Sequence, residues 1–322
     1  MECSFQPAAE GAITRVGEGI WCIELPHTDF QHVNVFLLEG DPLTLIDAGP
    51  PNEPGSERLL FFLKQLGYEW KDLDVIVLTH SHIDHLGGAA FLKPSPEIWA
   101  YKGTTDEVDK YDEYVMRWRG MPAWLGREYP ELKALLTNRY SLEWMNQTFP
   151  TGGGLTISRE FTDGELLHLG ERKLRVIHTP GHGWNHVCFY LEDEQLLFSG
   201  DFMLPRGPVF ARYMGDDTDV FLSSAKQVSV LRAKQVWPSH GKAFPFEKGL
   251  DHIATMIPRQ EERLLNSLAA GQCTALDLYF AFYGVQNVSP FSVAMEFTGV
   301  DSMIHRLKSK GKIHCDNGLY SC

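Results

Sequence analysis

Near the start of the chain, residues 13–16, 20–24, 33–38 and 43–46 alternate or run apolar between Gly and Pro, and read as strands. The period then changes. Leu59, Leu60, Phe62, Leu63 and Leu66 recur at the spacing of one helix face over residues 55–66. Residues 75–78 return to an apolar β-branched run, and a helix is expected over 86–92. Further on, 174–177, 187–191 and 195–198 read as strands, 220–231 as a helix and 235–237 as a strand. Strands followed by mixed strand and helix units, twice over, predict a layered α/β fold.

Two stretches stand outside that order. Residues 104–150 are rich in Tyr, Trp and Met, including Tyr111, Tyr114, Met116, Trp118, Met121, Trp124, Tyr129, Tyr140, Trp144 and Met145. Helices are expected over 106–119 and 132–145, as an insertion whose aromatics serve either as a substrate wall or as ordinary core. Thr151-Gly152-Gly153-Gly154 reads as a flexible joint after it. At the other end, 259–268, 275–283, 290–297 and 301–309 read as short helices, with Thr274, Ser289 and Asp301 as N-caps. Residues 311–320 read as a hairpin turning at Asn317-Gly318.

Chemistry gathers where strands end. The run Leu78-Thr79-His80-Ser81-His82-Ile83-Asp84-His85 places three imidazoles and a carboxylate within six positions, directly after Val75-Ile76-Val77. That is a donor set for Zn²⁺, Fe or Mn²⁺. Four more strands run into loops that carry His or Asp: at Asp47, at His178 and His182, at Asp201, and at His240. Loops at strand ends are where sites assemble in α/β folds. One such loop could hold a core histidine; five can converge on one rim.

These five motifs, spread over residues 13–255, resemble the metallo-β-lactamase superfamily, and more narrowly its glyoxalase II and β-lactamase-like protein 2 branch. The resemblance implies a four-layer αβ/βα sandwich, with a catalytic domain over 1–257 carrying the insertion at 104–150. A small winged-helix-like domain would follow over 258–322. It implies two divalent ions, Zn²⁺ first and Fe or Mn as alternatives. One would be held by His80, His82 and His182 and the other by Asp84, His85 and His240, with Asp201 bridging and Asp47 steadying the site from behind. Asp84 would also orient a hydroxide shared by the ions as it attacks an electrophilic centre. Asn185, Arg206, Arg212, Tyr213 and Lys242 are candidates for supporting the ligands or contacting substrate, and His186 for supporting them.

Composition narrows the partners. A formal net charge of −13 opposes broad affinity for nucleic acid or anionic membranes. In the C-terminal part six basic residues are balanced by six acidic ones, although Arg306–Lys312 is locally basic. No 20-residue apolar run and no leader-like start are evident, and the six cysteines form no CxxC pair, so a cytoplasmic protein with free thiols is expected. A small-molecule substrate is favoured, and the insertion and tail are candidate homodimer surfaces. The leading reading is hydrolysis of a thioester or similar activated acyl compound. The alternative is a single-strand endoribonuclease or phosphodiesterase of the β-lactamase-like protein 2 type. The complete ligand set argues against a non-catalytic scaffold.

Overall fold

The computed structural model describes residues 11–27, 32–51, 53–133, 136, 142–205, 207, 210, 212–283 and 290–322. The apolar alternation resolves into two sheets. The first is built in chain order from β1 (Ala12–Gly17), β2 (Ile20–Pro26), β3 (His32–Leu38), β4 (Thr44–Ile46), β5 (Val75–Val77), β6 (Glu97–Tyr101) and β7 (Arg159–Phe161). It is antiparallel through β4 and parallel from β4 to β7. The second sheet runs from β8 (Leu166–Leu169) through β9 (Arg172–His178), β10 (Val187–Leu191), β11 (Leu196–Gly200) and β12 (Gln235–Pro238) to β13 (Phe244–Pro245). Only its β11–β12 pair is parallel.

Strand side chains alternate between faces, so a strand apolar on both faces must be covered twice. In β10, Val187, Phe189 and Leu191 join the core between the sheets, while Cys188 and Tyr190 face the helices outside. In β3, Phe36 and Leu38 point inward and Val35 and Leu37 outward. Phe36 meets Phe198 of the opposite sheet with ring centroids 4.7 Å apart. The outer face of the first sheet is covered by α1 (Glu53–Gln65), α2 (Ile83–Phe91), α3 (Thr104–Val108) and α4 (Tyr111–Glu128). Another short helix, α5 (Leu142–Thr148), follows in the inserted stretch. The outer face of the second sheet is covered by α6 (Thr218–Val228), α7 (Phe246–Ala269), α8 (Ala275–Tyr283) and α9 (Pro290–Ser309). The result is a four-layer α/β/β/α sandwich. A hairpin of β14 (His314–Asp316) and β15 (Leu319–Ser321) closes the chain through Asn317-Gly318, both at positive φ as the turn requires.

Several local expectations are corrected. Strands β6, β7 and β8 were not legible in the sequence. The helix expected over 86–92 begins earlier, at Ile83, which puts Asp84 and His85 in its first turn. Residues 259–268 are the second half of α7, which continues through Pro258, and 290–309 form one helix instead of two. Asp301 therefore lies inside α9 and caps nothing. Thr274 does cap α8, exchanging hydrogen bonds with Asp277; Ser289 lies outside the described residues. The stretch at 151–154 is not a joint. The Gly152 amide donates to Asp112 at 2.8 Å, the Gly154 amide donates to Ala90 at 3.1 Å, and a Cβ on Gly153 would come 2.8 Å from the Tyr111 ring. Among the described residues no helix is long and apolar enough to cross a membrane.

Candidate metal centre

All the expected strand-end loops open on the same edge of the sandwich. Asp47 follows β4, the HxHxDH run follows β5, His182 follows β9, Asp201 follows β11 and His240 follows β12. The two sheets are stitched together there. The Asn34 side chain of β3 donates to the carbonyls of Pro238 and Gly241 at 2.9 and 2.8 Å, and the Val187 amide of β10 donates to Thr79 at 2.8 Å. His240 Nδ1 lies 2.8 Å from the His32 carbonyl, which leaves its Nε2 turned to the site.

Three overlapping groups of donor atoms result: His80, His82 and His182; Asp84, His85 and His240; and His80, His85 and Asp201. Within each group the donor atoms lie within 4.8 Å of one another. Asp201 sits between the first two groups. Its Oδ2 is 3.5 Å from His182 Nε2 and 3.4 Å from His240 Nε2, and its Oδ1 is 3.6 Å from His85 Nε2. Buried polar atoms are nearly always hydrogen-bonded. Yet His80 Nε2, His85 Nε2 and Asp201 Oδ1 are buried with no hydrogen-bond partner, all at this spot. Such a donor set fits divalent cations.

The surroundings fix the rings. Asp47 accepts the Thr79 amide at 2.8 Å, the Thr79 hydroxyl at 2.7 Å and His85 Nδ1 at 2.9 Å. Having given its one proton to Asp47, the Thr79 hydroxyl accepts from His80 Nδ1 at 3.0 Å. Both imidazoles are thereby held with Nε2 free to bind a metal. Asp47 achieves this at φ 59, a left-handed conformation that Asp tolerates better than most residues. The packing of α2 on this loop is close: a Cβ on Gly88 would sit 2.1 Å from the Ala48 carbonyl oxygen.

Electrostatics favour cations. Burial and the neighbouring imidazoles hold His80, His82 and His186 well below the ordinary imidazole range, so these rings are neutral. For His85 burial acts downward, but Asp84, Asp201 and Asp47 outweigh it and hold the ring well above that range. His240 is pushed up to about 10 by Asp201 and Asp84, again against burial. Asp84 and Asp201 stay well below the ordinary carboxylate range, because His85 and His240 overcome the upward push of burial.

Other residues outside the HxHxDH run fall into place less uniformly. Asn185 is buried and donates to Thr104 and Glu107, which also receives the Ser81 hydroxyl at 2.8 Å; it braces the ligand loop against α3. His186 Nε2 accepts the Asp201 amide at 3.1 Å while Nδ1 bonds Thr179 at 2.8 Å. His178 stacks on Tyr101 at 4.0 Å and is no ligand. Arg212 turns to Asp301 of α9, at 2.9 and 3.0 Å, and Tyr213 packs on Trp124 at 5.2 Å. Lys242 is exposed, and Arg206 lies outside the described residues.

Asp216 was not singled out in the sequence. It is buried, accepts the Gly183 amide at 2.8 Å and lies 3.6 Å from His182 Nδ1, a second carboxylate behind a second candidate ligand. Its only signal was the pair Asp216-Asp217 before a helix, where Asp217 caps α6. The aromatics of the insertion divide. Tyr111, Met121 and Tyr129 are core, whereas Trp118 packs edge-on against His82 at 4.8 Å and the Tyr114 hydroxyl bonds the Ser81 carbonyl.

Known proteins share this arrangement of the chain. A crystal structure of a metallo-beta-lactamase family protein from Thermus thermophilus superposes with a TM-score of 0.75 over 95% of this chain and 99% of that one, at 21% identity. A hydroxyacylglutathione hydrolase of Haemophilus influenzae is 28% identical over 205 residues, 63% of this chain and 81% of that protein. An atrochrysone carboxyl ACP thioesterase of Aspergillus fumigatus is 25% identical over 265 residues, covering 80% of this chain; the chain spans about half, 50%, of that curated relative's length. The model of the metallo-beta-lactamase superfamily matches residues 28–240, more than half of the chain and ending on His240 itself, and the chain therefore belongs to that superfamily.

Proposed function

We propose that this chain is a dinuclear metal-dependent hydrolase of a thioester or similarly activated acyl compound. The observation that carries the hydrolase reading is Asp201, whose carboxylate lies within 3.6 Å of ligand candidates from both groups. His80, His82 and His182 would hold one cation, Asp84, His85 and His240 the other, with Asp201 shared. Imidazole-rich sites of this kind suit Zn²⁺ first, with Fe or Mn as alternatives. Cations held there supply Lewis acidity, which makes water a stronger acid and a carbonyl a better electrophile.

The protein's own groups do the positioning. Asp84 Oδ2 faces His240 at 3.2 Å and His85 at 3.5 Å, and its side chain is 16% exposed, so the carboxylate stays ionised and can orient an attacking water by accepting a hydrogen bond from it. Trp118 packs edge-on against the partly exposed His82 and forms one side of the site. The Ser81 hydroxyl is committed to Glu107, so it is not available as a nucleophile.

The acyl reading is supported by the thioesterase and the hydroxyacylglutathione hydrolase among the relatives. The ribonuclease alternative is weakened by ion pairs. In the basic run at 306–312, Arg306 reaches Glu261 at 2.7 Å and also Asp219, Lys310 reaches Asp219 at 3.3 Å, and Lys312 reaches Glu261 at 3.8 Å. Those charges dock α9 on α6 and α7. Thiol release from a panel of coenzyme A and glutathione thioesters by metal-loaded protein, with Asp84→Ala as control, is the test. Turnover lost in the variant is expected; no release from any thioester would overturn the acyl reading.

A further inference from the structure

A groove of about 460 Å³ lies between α7 and the end of α8. Four basic side chains border it: Lys248, His252, Arg259 and Arg263, with Asp251 the one acid on the wall. Their spacing of four, seven and four residues puts them on one face of α7. Phe282 and Tyr283 form the opposite wall, fixed by Arg263 donating to the Phe282 carbonyl at 3.1 Å and by Tyr283 donating to the Glu296 carbonyl at 2.8 Å. In a chain of net charge −13 this is a local reversal of sign. His252 feels it: burial, Lys248 and Arg259 together hold its ring below the ordinary imidazole range.

Two short stretches of chain lead from candidate metal ligands to the helix that lines the groove. Gly207, six residues after Asp201, lies directly on this face of α7; a Cβ there would come 2.0 Å from Met256 Sδ and 3.5 Å from His252 Nε2. Six residues of chain span at most about 21 Å. On the other side, α7 itself starts six residues after His240.

We infer that this groove is an anion subsite that receives the phosphates of a nucleotide-bearing thiol of the coenzyme A type, the leaving group of the reaction; the inference rests on the thioesterase reading. Three cationic side chains, Lys248, Arg259 and Arg263, spread along several helical turns, suit several phosphates better than one carboxylate. Phe282 is buried, but Tyr283 beside it is partly exposed and can meet a purine, and the volume is that of a small-molecule site. A polynucleotide would need a longer basic surface. The hydrolysis balances without a further reactant. The water oxygen bonds to the acyl carbon, the carbon–sulfur bond breaks, and the thiolate takes up a proton as the carboxylic acid leaves.

The test uses the full-length, metal-loaded chain and two substrates with the same acyl group, one on coenzyme A and one on N-acetylcysteamine, which has no phosphate. Lys248→Glu with Arg259→Glu changes exposed side chains, and circular dichroism verifies the fold. The double variant is expected to raise KM for the coenzyme A thioester by about tenfold or more, the loss of one charge-assisted contact or better. The kcat and the turnover of the N-acetylcysteamine thioester should not change. Calorimetry should show coenzyme A binding the parent protein and not the variant. Equal KM values for parent and variant would overturn the subsite and leave the thioesterase reading standing. Variant-sensitive coenzyme A binding with neither thioester hydrolysed would uphold the subsite and overturn that reading. Single-stranded RNA binding lost in the same variant, with coenzyme A not bound, would overturn the inference.

Discussion

The Asp47 carboxylate lies 2.9 Å from Nδ1 of His85, and through the Thr79 hydroxyl the same carboxylate also orients His80. One side chain thus sets the tautomer of a candidate ligand in each metal group. Replacing such a partner typically costs 10–100-fold in metal affinity. Asp47→Ala is therefore expected to lower affinity for both ions by about that factor. Metal content after dialysis against a graded chelator series measures it, and parent-like retention would refute the role given to Asp47.

Asp216 makes the matching prediction for His182. Asp216→Asn keeps an acceptor for the Gly183 amide but removes the charge behind the imidazole. About a tenfold loss of affinity for one of the two ions is expected. Its neighbour is the control: Asp217→Ala removes the α6 cap and should cost about 1 kcal/mol of stability with metal affinity intact. If both variants lose metal equally, Asp216 has no special part.

Protons compete with metal at His85 and His240. Both rings are raised in the metal-free protein, His240 to about 10, because Asp84 and Asp201 face them. Metal needs neutral imidazole, so uptake at pH 7 should release protons, and apparent affinity should fall on acidification. A raised pKa also means that the chelated protein draws full stability from these rings below about pH 6.5. The His240 share of that stability fades as pH climbs toward 10, and the His85 share is lost only well above the ordinary imidazole range. Titration of apo-protein with Zn²⁺ in a weak buffer reads the proton release directly; an unchanged pH would contradict it.

Arg212 and Asp301 are 89 residues apart in sequence and joined by two hydrogen bonds, with the Tyr129 hydroxyl on the same carboxylate at 2.6 Å. The cluster ties the loop after Asp201 to the insertion and to α9. Arg212→Met strands a carboxylate that is 1% exposed, while the guanidinium is partly solvated at 29%; about 2–3 kcal/mol of destabilisation is expected. Arg212→Met with Asp301→Leu should recover much of it. Urea denaturation of the two variants decides, and additive losses would count against a coupled pair.

Gly88→Ala should abolish or severely weaken folding, since the new Cβ would meet the Ala48 backbone oxygen at 2.1 Å and backbone cannot step aside cheaply. Soluble yield and thermal midpoint report it; a parent-like midpoint would show that α2 can shift.

Much of this protein was legible from local pattern alone. A two-residue period with both faces apolar announced strands that must be covered twice, and β2, β3 and β10 have that place. The HxHxDH run carried its own chemistry, because three imidazoles and a carboxylate within six residues need no distant partner to be conspicuous. Short strands such as β7, three residues long with two exposed, have too little pattern to read and exist because a neighbour pairs with them. The same limit applies to side chains whose meaning lies in a partner. Asp216 and Asp217 are adjacent carboxylates in the sequence; folding turns one to His182 and leaves the other capping a helix. Arg212 looked like a group for substrate, and α9 claims it through Asp301. Periodicity and residue chemistry are local properties and survive in a one-dimensional reading. The partner of a buried charge is decided only when the layers pack, because that is when water is removed and each polar atom must find its counterpart.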